Sequence, residues 1–300
     1  MHAGKRAAPP LSGGLPANQI FAKGLRRGRW LLAIAICVAM LAACRKSSLP
    51  GNNTPSGTGA PKPVVHELKG MSADINKNCG GFYEALPPSY ASSTAAYPLL
   101  VFLHGGGELG NGASDLPLVL KNGVPRLLSQ KKFPLSVEAG GKEYSFIVIA
   151  PQFKEWPGPE DVHAVVRYAL AHYRVDSSRV YLAGLSMGGG VTWEYASRYG
   201  SSLAAIVPIC GASWPDSAIA RKIALTNVPA WAFHNQDDSV VPVASTTKYV
   251  SLINFYKPDP LVRMTIWPSA QHDAWTRASD PAYKEEGKNI YEWMLGFARE

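Results

Sequence analysis

Residues 179–190, Arg-Val-Tyr-Leu-Ala-Gly-Leu-Ser-Met-Gly-Gly-Gly, leave this chain few ways to fold. The β-branched and aromatic start reads as a buried strand. It turns at once through Gly184-x-Ser186-x-Gly188, and Val191-Thr192-Trp193-Glu194-Tyr195-Ala196 continues as a helix closed by Gly200. A strand that folds directly into a helix has no room for side chains beside the turn, which is why glycines flank it. The strain pushes the Ser186 hydroxyl out of the sheet, where a histidine can reach it. The next amide, that of Met187, sits at the positive end of the helix, where an oxyanion would be stabilised. The short pattern recurs by chance in unrelated chains, so its weight comes from the strand before it, the helix after it and the third glycine. Ser186 is therefore the candidate nucleophile, with Met187 as a candidate oxyanion donor.

The surrounding chain supplies a setting for that turn. Gly81–Leu86, Pro98–Leu103 and Ser145–Pro151 read as strands, as do runs near Ile206, over Val228–Phe233 and over Met264–Trp267. Helical patterns cover Val162–Leu170, a stretch from about Val243, and a last helix from about Pro281 to Phe297. Buried strands alternating with helices predict an α/β fold, a mostly parallel sheet with helices on both faces. Ligands of such sheets bind at the carboxyl ends of the strands.

Two further stretches fall at those ends. The loop His104-Gly105-Gly106-Gly107-Glu108-Leu109-Gly110 formally contains G-x-G-x-x-G. The acid that would hold a ribose about twenty residues on is missing, because Leu127–Lys132 occupies that place, and the turn does not open a helix. Acyl-transfer enzymes use such a glycine loop for a second oxyanion donor, here the amide of Gly106 or its neighbour. Of the histidines at 2, 66, 104, 163, 172, 234 and 272, only His234 and His272 follow Ser186. In the chain order nucleophile, carboxylate, histidine, an acid past the Val228–Phe233 strand leaves His272 as the base. Spacing alone leaves Asp237 and Asp238 in competition. His234 is expected to shape the turn that carries the acid, and His104 the glycine loop. Trp156, Trp214 and Trp275 fall in loops near the strand ends; they either stack on a planar acyl group or sugar face or simply pack the loops.

His234-Asn235-Gln236-Asp237-Asp238-Ser239-Val240-Val241-Pro242 resembles the H-G-x-x-D-x-x-V-P turn of α/β-hydrolase esterases, which implies that Asp238 is the acid. Asn235 stands where that pattern has glycine, and asparagine tolerates left-handed backbone angles. Together with Leu86-Pro87-Pro88-Ser89-Tyr90, the His104 loop, Ala150-Pro151-Gln152, Gly184–Gly189 and His272-Asp273-x-Trp275, the chain from Gly81 onward resembles the predicted-peptidase, feruloyl-esterase-like and dienelactone-hydrolase-like group of the α/β-hydrolase superfamily. The resemblance implies the α/β-hydrolase fold and a serine carboxylic-ester hydrolase with a Ser186–Asp238–His272 triad. Dienelactone hydrolases use cysteine as nucleophile; the serine here means that activity is not implied. A feruloyl or acetyl ester on carbohydrate is the expected substrate. A serine peptidase, or a silent carbohydrate-binding surface protein on this fold, is the alternative.

The N-terminus reads as an address. Lys23–Arg29 is a positive segment, Trp30–Met40 an apolar one too short to span a bilayer comfortably, and Leu41-Ala42-Ala43-Cys44 resembles the lipobox of bacterial lipoproteins. Residues 1–43 are thus expected to be a signal peptide and Cys44 the lipidated residue, which would anchor an exported protein to a membrane. Residues 44–63, rich in Ser, Gly and Pro, read as a flexible tether, and 64–300 as the catalytic domain. The formal charge of +8 reflects this leader: Lys5, Arg6, Lys23, Arg26, Arg27 and Arg29 precede residue 44 without an acid, and +2 remains after it. That argues against a nucleic-acid partner. No C-x-x-C or H-E-x-x-H pattern supports a metal site, no cofactor is implied, and Cys79 and Cys210 are either a disulfide or two packed thiols.

Overall fold

Strands covered by helices on both faces lose the alternation of polar and apolar residues, and the strands over Tyr97–Leu103, Ile147–Phe153, Ala205–Ile209 and Trp231–Asn235 are buried at every position. The computed structural model describes residues 64–299; the expected signal peptide, Cys44 and the tether lie outside the described residues. In chain order the strands are β1 (Glu67–Ser72), β2 (Cys79–Leu86), β3 (Tyr97–Leu103), β4 (Val137–Ala139), β5 (Lys142–Tyr144), β6 (Ile147–Phe153), β7 (Val175–Leu185), β8 (Ala205–Ile209), β9 (Trp231–Asn235) and β10 (Arg263–Trp267). The helices are α1 (Gly123–Ser129), α2 (Pro159–His172), α3 (Met187–Tyr199), α4 (Ser217–Leu225), α5 (Ala244–Phe255), α6 (Trp275–Ala278) and α7 (Ile290–Leu295).

Eight strands form one sheet in the order β1-β2-β6-β3-β7-β8-β9-β10, and β4 and β5 make a separate hairpin. From β6 to β10 every neighbour is parallel, while β2 runs antiparallel to both β1 and β6. Alternate residues of each strand serve two cores. Leu99, Val101 and Leu103 join Val165, Trp193, Ala220 and Tyr249 on the face of α2 to α5. Leu100 and Phe102 join Val124, Ala278 and Tyr291 on the face of α1, α6 and α7. Cys79 and Cys210 are free and buried in these separate cores, so of the two sequence alternatives the structure has packed thiols.

The expected helix over Pro281–Phe297 is not continuous. A turn with Glu286 and Gly287 at positive φ (53° and 79°) interrupts it, and α7 starts only at Ile290. The Asn289 side chain accepts from the Tyr291 and Glu292 amides, and the Glu292 carboxylate accepts from the Asn289 amide. This capping box was legible as Asn-x-x-Glu, and it overrides the apolar spacing across the turn. Helices α1, α4 and α6, strand β1 and the β4–β5 hairpin are additional to the sequence reading, and Trp275, expected in a loop, opens α6. Among the described residues no helix is long and apolar enough to cross a membrane.

Candidate active site

Strand β7 ends at Leu185 and α3 begins at Met187, which leaves Ser186 alone in the turn at φ 51°, ψ −116°. A non-glycine residue in such a conformation costs on the order of 1–3 kcal/mol, so neighbours must hold it. The Ser186 amide donates to Ile209 O at 2.9 Å, and its carbonyl accepts from Ala212 N at 2.8 Å and Gly190 N at 2.9 Å. The glycines let α3 press against the ends of the adjacent strands. A Cβ on Gly188 would lie 2.3 Å from Leu103 O, one on Gly189 2.5 Å from Ile209 O, and one on Gly190 2.5 Å from Ala212 O. These are backbone atoms, which cannot swing away. The run Gly188-Gly189-Gly190 is thus a packing requirement, and it fixes where Ser186 stands.

The carboxyl ends of β7, β9 and β10 bring three distant side chains into contact. His272 Nε2 lies 2.9 Å from Ser186 Oγ, and His272 Nδ1 lies 2.7 Å from Asp238 Oδ2. A carboxylate only accepts, so Nδ1 carries the proton and Nε2 is left to accept from the serine hydroxyl. Asp238 is buried and fully satisfied. Its Oδ1 accepts from the amides of Val240 and Val241, both at 2.9 Å, and its Oδ2 also faces His234 Nε2 at 3.2 Å. His234 donates from Nε2 to Val241 O at 2.9 Å and accepts at Nδ1 from the Thr246 hydroxyl at 2.8 Å. Burial pushes its pKa down, which keeps it a neutral brace for the acid's turn.

Asp237 does something else. Its Oδ1 accepts from Gln271 N at 2.8 Å, while Asn235 Nδ2 donates to Gln271 O at 2.8 Å. Both sides of the peptide chain before His272 are thereby gripped, in a segment where Ala270 and Gln271 take positive φ (127° and 51°). Asn235 itself is the last residue of β9 and is not left-handed, so its tolerance of such angles is not what suits it to this place. Its amide is what matters. No short motif announces this clamp; Asn235 was visible only as a departure from the glycine of the resembling pattern.

The glycine loop lies alongside the serine. A Cβ on Gly105 would come within 3.5 Å of Ser186 Cβ, and one on Gly106 would meet nothing within 4 Å. Gly106 is exposed and opens a short 3₁₀ turn to Glu108, while the Met187 amide, first in its helix, has no carbonyl one turn earlier to bond. The buried Glu108 carboxylate accepts from Gly105 N at 2.7 Å and from Asn122 Nδ2, and Asn122 Oδ1 accepts from Trp275 Nε1 at 3.2 Å. Desolvation raises the Glu108 pKa. Trp275 completes the link by meeting the His272 ring edge-on, centroids 5.3 Å apart. His104 is buried, donates from Nδ1 to Gly105 O at 2.7 Å and accepts at Nε2 from Phe153 N at 3.0 Å. Burial lowers its pKa to about 4.

Of the three tryptophans, Trp156 (53 % exposed) and Trp214 (70 % exposed) share a cavity of about 210 Å³ with Ala212, Ser213, Val240, Val241, Pro242 and Ser245. Trp275 stands apart from them, half-buried beside His272. Beneath the site Cys210 Sγ lies 3.8 Å from His272 O, and burial pushes its thiol up. Its sulfur and ligand atoms of Asp238 and His272 fall within 4.8 Å of one another. A cation could use that trio only by displacing the proton that His272 and Asp238 share.

Residues 156–284 match the phospholipase/carboxylesterase family. No curated protein matches the sequence. Among solved structures, a thermostable esterase shares 23% identity with a TM-score of 0.55; the match covers 79% of this chain, which spans only 64% of that esterase's length. A feruloyl esterase module from Clostridium thermocellum, solved with sinapinate, has 16% identity and a TM-score of 0.55 over 79% of this chain and 89% of its own. A ferulic acid esterase has 17% identity and a TM-score of 0.53 over 71% and 93% of the two chains. At such identities the likeness speaks for the fold, and with the mostly parallel sheet it leads to one conclusion: the chain has the α/β-hydrolase fold.

Proposed function

We propose that this protein is a serine carboxylic-ester hydrolase that works through an acyl-enzyme. The observation that carries the reading is the unbroken contact from Ser186 Oγ to His272 Nε2 (2.9 Å) and from His272 Nδ1 to Asp238 Oδ2 (2.7 Å). His272 takes the serine proton as Oγ attacks the ester carbonyl, and Asp238 holds the imidazole in the tautomer that can do so. The amides of Met187 and Gly106 donate to the oxyanion, an interaction whose loss costs about a hundredfold or more in turnover. His272 then protonates the departing alcohol, and water attacks the acyl group by the same route in reverse. Asn235 and Asp237 act through the His272 loop as positioning residues.

The acyl group is aromatic or small and its alcohol a carbohydrate. The exposed aromatic walls of Trp156 and Trp214 support a planar feruloyl-type group, and feruloyl esterases share this fold. The Lys23–Cys44 pattern supports export and lipid anchoring, which metabolic labelling with a radioactive fatty acid would check against a Cys44→Ser variant. Ser186→Ala is expected to lower turnover of p-nitrophenyl acetate about ten-thousandfold or more while leaving the circular dichroism spectrum unchanged. Retained turnover would refute the assignment. Methyl ferulate, acetylated xylan and a peptide amide, compared side by side, rank the acyl groups.

A further inference from the structure

A second cavity, of about 230 Å³, has Trp275 in its wall and differs in character from the first. Arg126, Gln130, Lys132 and Thr276 line it together with Trp275, and Asp280 is its one acid. Arg126 and Lys132 make no salt bridge among the described residues, whereas the nearby Arg277 is engaged over the Trp267 and Tyr283 rings at 4.8 and 4.6 Å. The Asp280 carboxylate is occupied by the Ala282 amide at 2.9 Å. The cavity therefore sets two cations against one carboxylate, beside neutral hydrogen-bonding groups, and its lining is net positive by one charge. The Trp156–Trp214 cavity has no charged lining residue.

The two cavities are built from opposite faces of the sheet, and neither has Ser186 or His272 in its lining. One is lined by loops that lead into α4 and α5, which pack on one face of the sheet, and the other by α1 and α6, which pack on the opposite face. Ser186 stands at the sheet's carboxyl edge, where the two faces meet, and Trp275 is both a wall of the cationic cavity and the edge-on neighbour of His272. We propose that the cationic cavity is an anion-binding subsite of the same cleft, so that the preferred ester carries a carboxylate or phosphate at the end that lies away from the aromatic cavity. The inference rests on the ester-hydrolase reading, and it narrows the substrate to esters of acidic molecules, such as a sugar bearing a carboxylate. Exposed charge contacts are individually weak and screened by salt, so each cation is worth about twofold to fivefold in affinity.

The test compares the protein with an Arg126→Gln/Lys132→Gln double variant on four esters. p-Nitrophenyl acetate is neutral, p-nitrophenyl hemisuccinate carries its carboxylate on the acyl side, and p-acetoxybenzoate and p-acetoxyphenyl phosphate carry carboxylate or phosphate on the alcohol side. The expected result is a KM raised about tenfold for at least one anionic ester, a difference that shrinks as salt rises, and an unchanged KM for the neutral ester. The ester that shifts most identifies the anion and the side that carries it. Equal loss on all four, or no shift on any, would overturn the subsite. Calorimetry of p-acetoxybenzoate with the Ser186→Ala protein, with and without the double substitution, reads the site without turnover. Absence of all ester hydrolysis by the unaltered protein therefore refutes the enzyme, and unaltered anion binding refutes the subsite.

Discussion

Ser186, His272 and Asp238 are spaced along the chain by 86 and 34 residues, yet each holds the next within hydrogen-bond distance, because each follows a parallel strand at the same edge of the sheet. Ser186 was legible from its neighbours alone: strand, glycine, serine, glycine and helix form one local unit. His272 was legible by order along the chain. Choosing between Asp237 and Asp238 was not a matter of spacing, since adjacent side chains in a turn point in different directions. The geometry gives them separate tasks, one facing the imidazole and the other the Gln271 amide. This separation predicts different kinetics. Asn235→Ala and Asp237→Ala are each expected to lower kcat by about ten- to a hundredfold with little change in KM, because a small misplacement of the base slows proton transfer without touching the substrate pockets. Asn235→Gly, which restores the glycine of the resembling pattern, should behave like the alanine variant. Steady-state kinetics on p-nitrophenyl acetate check all three, and a raised KM at constant kcat would speak against a positioning role.

At the scale of elements, α3 is the piece on which the site is built. Its first turn packs glycine backbone against the ends of β3 and β8, and a methyl group at Gly188 has carbonyl oxygens of Leu103 and His104 at 2.3 and 2.7 Å. Gly188→Ala is therefore expected to cost about 2–4 kcal/mol of stability, well above the usual effect of a surface glycine, measured by urea unfolding. Gly106→Ala, where the added methyl meets nothing within 4 Å, should leave stability nearly unchanged. The sequence signalled both glycines equally, and only the packing distinguishes them. The last helix shows the opposite failing: apolar spacing carried the reading straight across Glu286 and Gly287, although the Asn289–Glu292 cap that begins α7 was present in the residues.

At the scale of the whole molecule, buried histidines set the response to acid. Burial lowers His104 and His66 from 6.5 to about 4. The unfolded chain thus binds these protons first, so the stability they contribute is complete above about pH 6.5 and is lost as pH falls toward 4. The loss is on the order of 2–3 kcal/mol for each histidine. The melting temperature is expected to fall between pH 7 and pH 4.5, and His104→Gln should flatten that slope; an equally steep slope in the variant would assign the acid sensitivity elsewhere. The chain by itself determined the class of fold and the serine turn, because both are written in short-range patterns: apolar runs of strand length, helical periodicity, and glycines where backbone must meet backbone. Only the tertiary structure decided that Asp237 holds the Gln271 amide, that Trp275 belongs with His272 and away from Trp156 and Trp214, and that Asn235 clamps a loop instead of turning one. Those outcomes depend on how loops from different strands meet in space, and no local pattern of residues encodes that meeting.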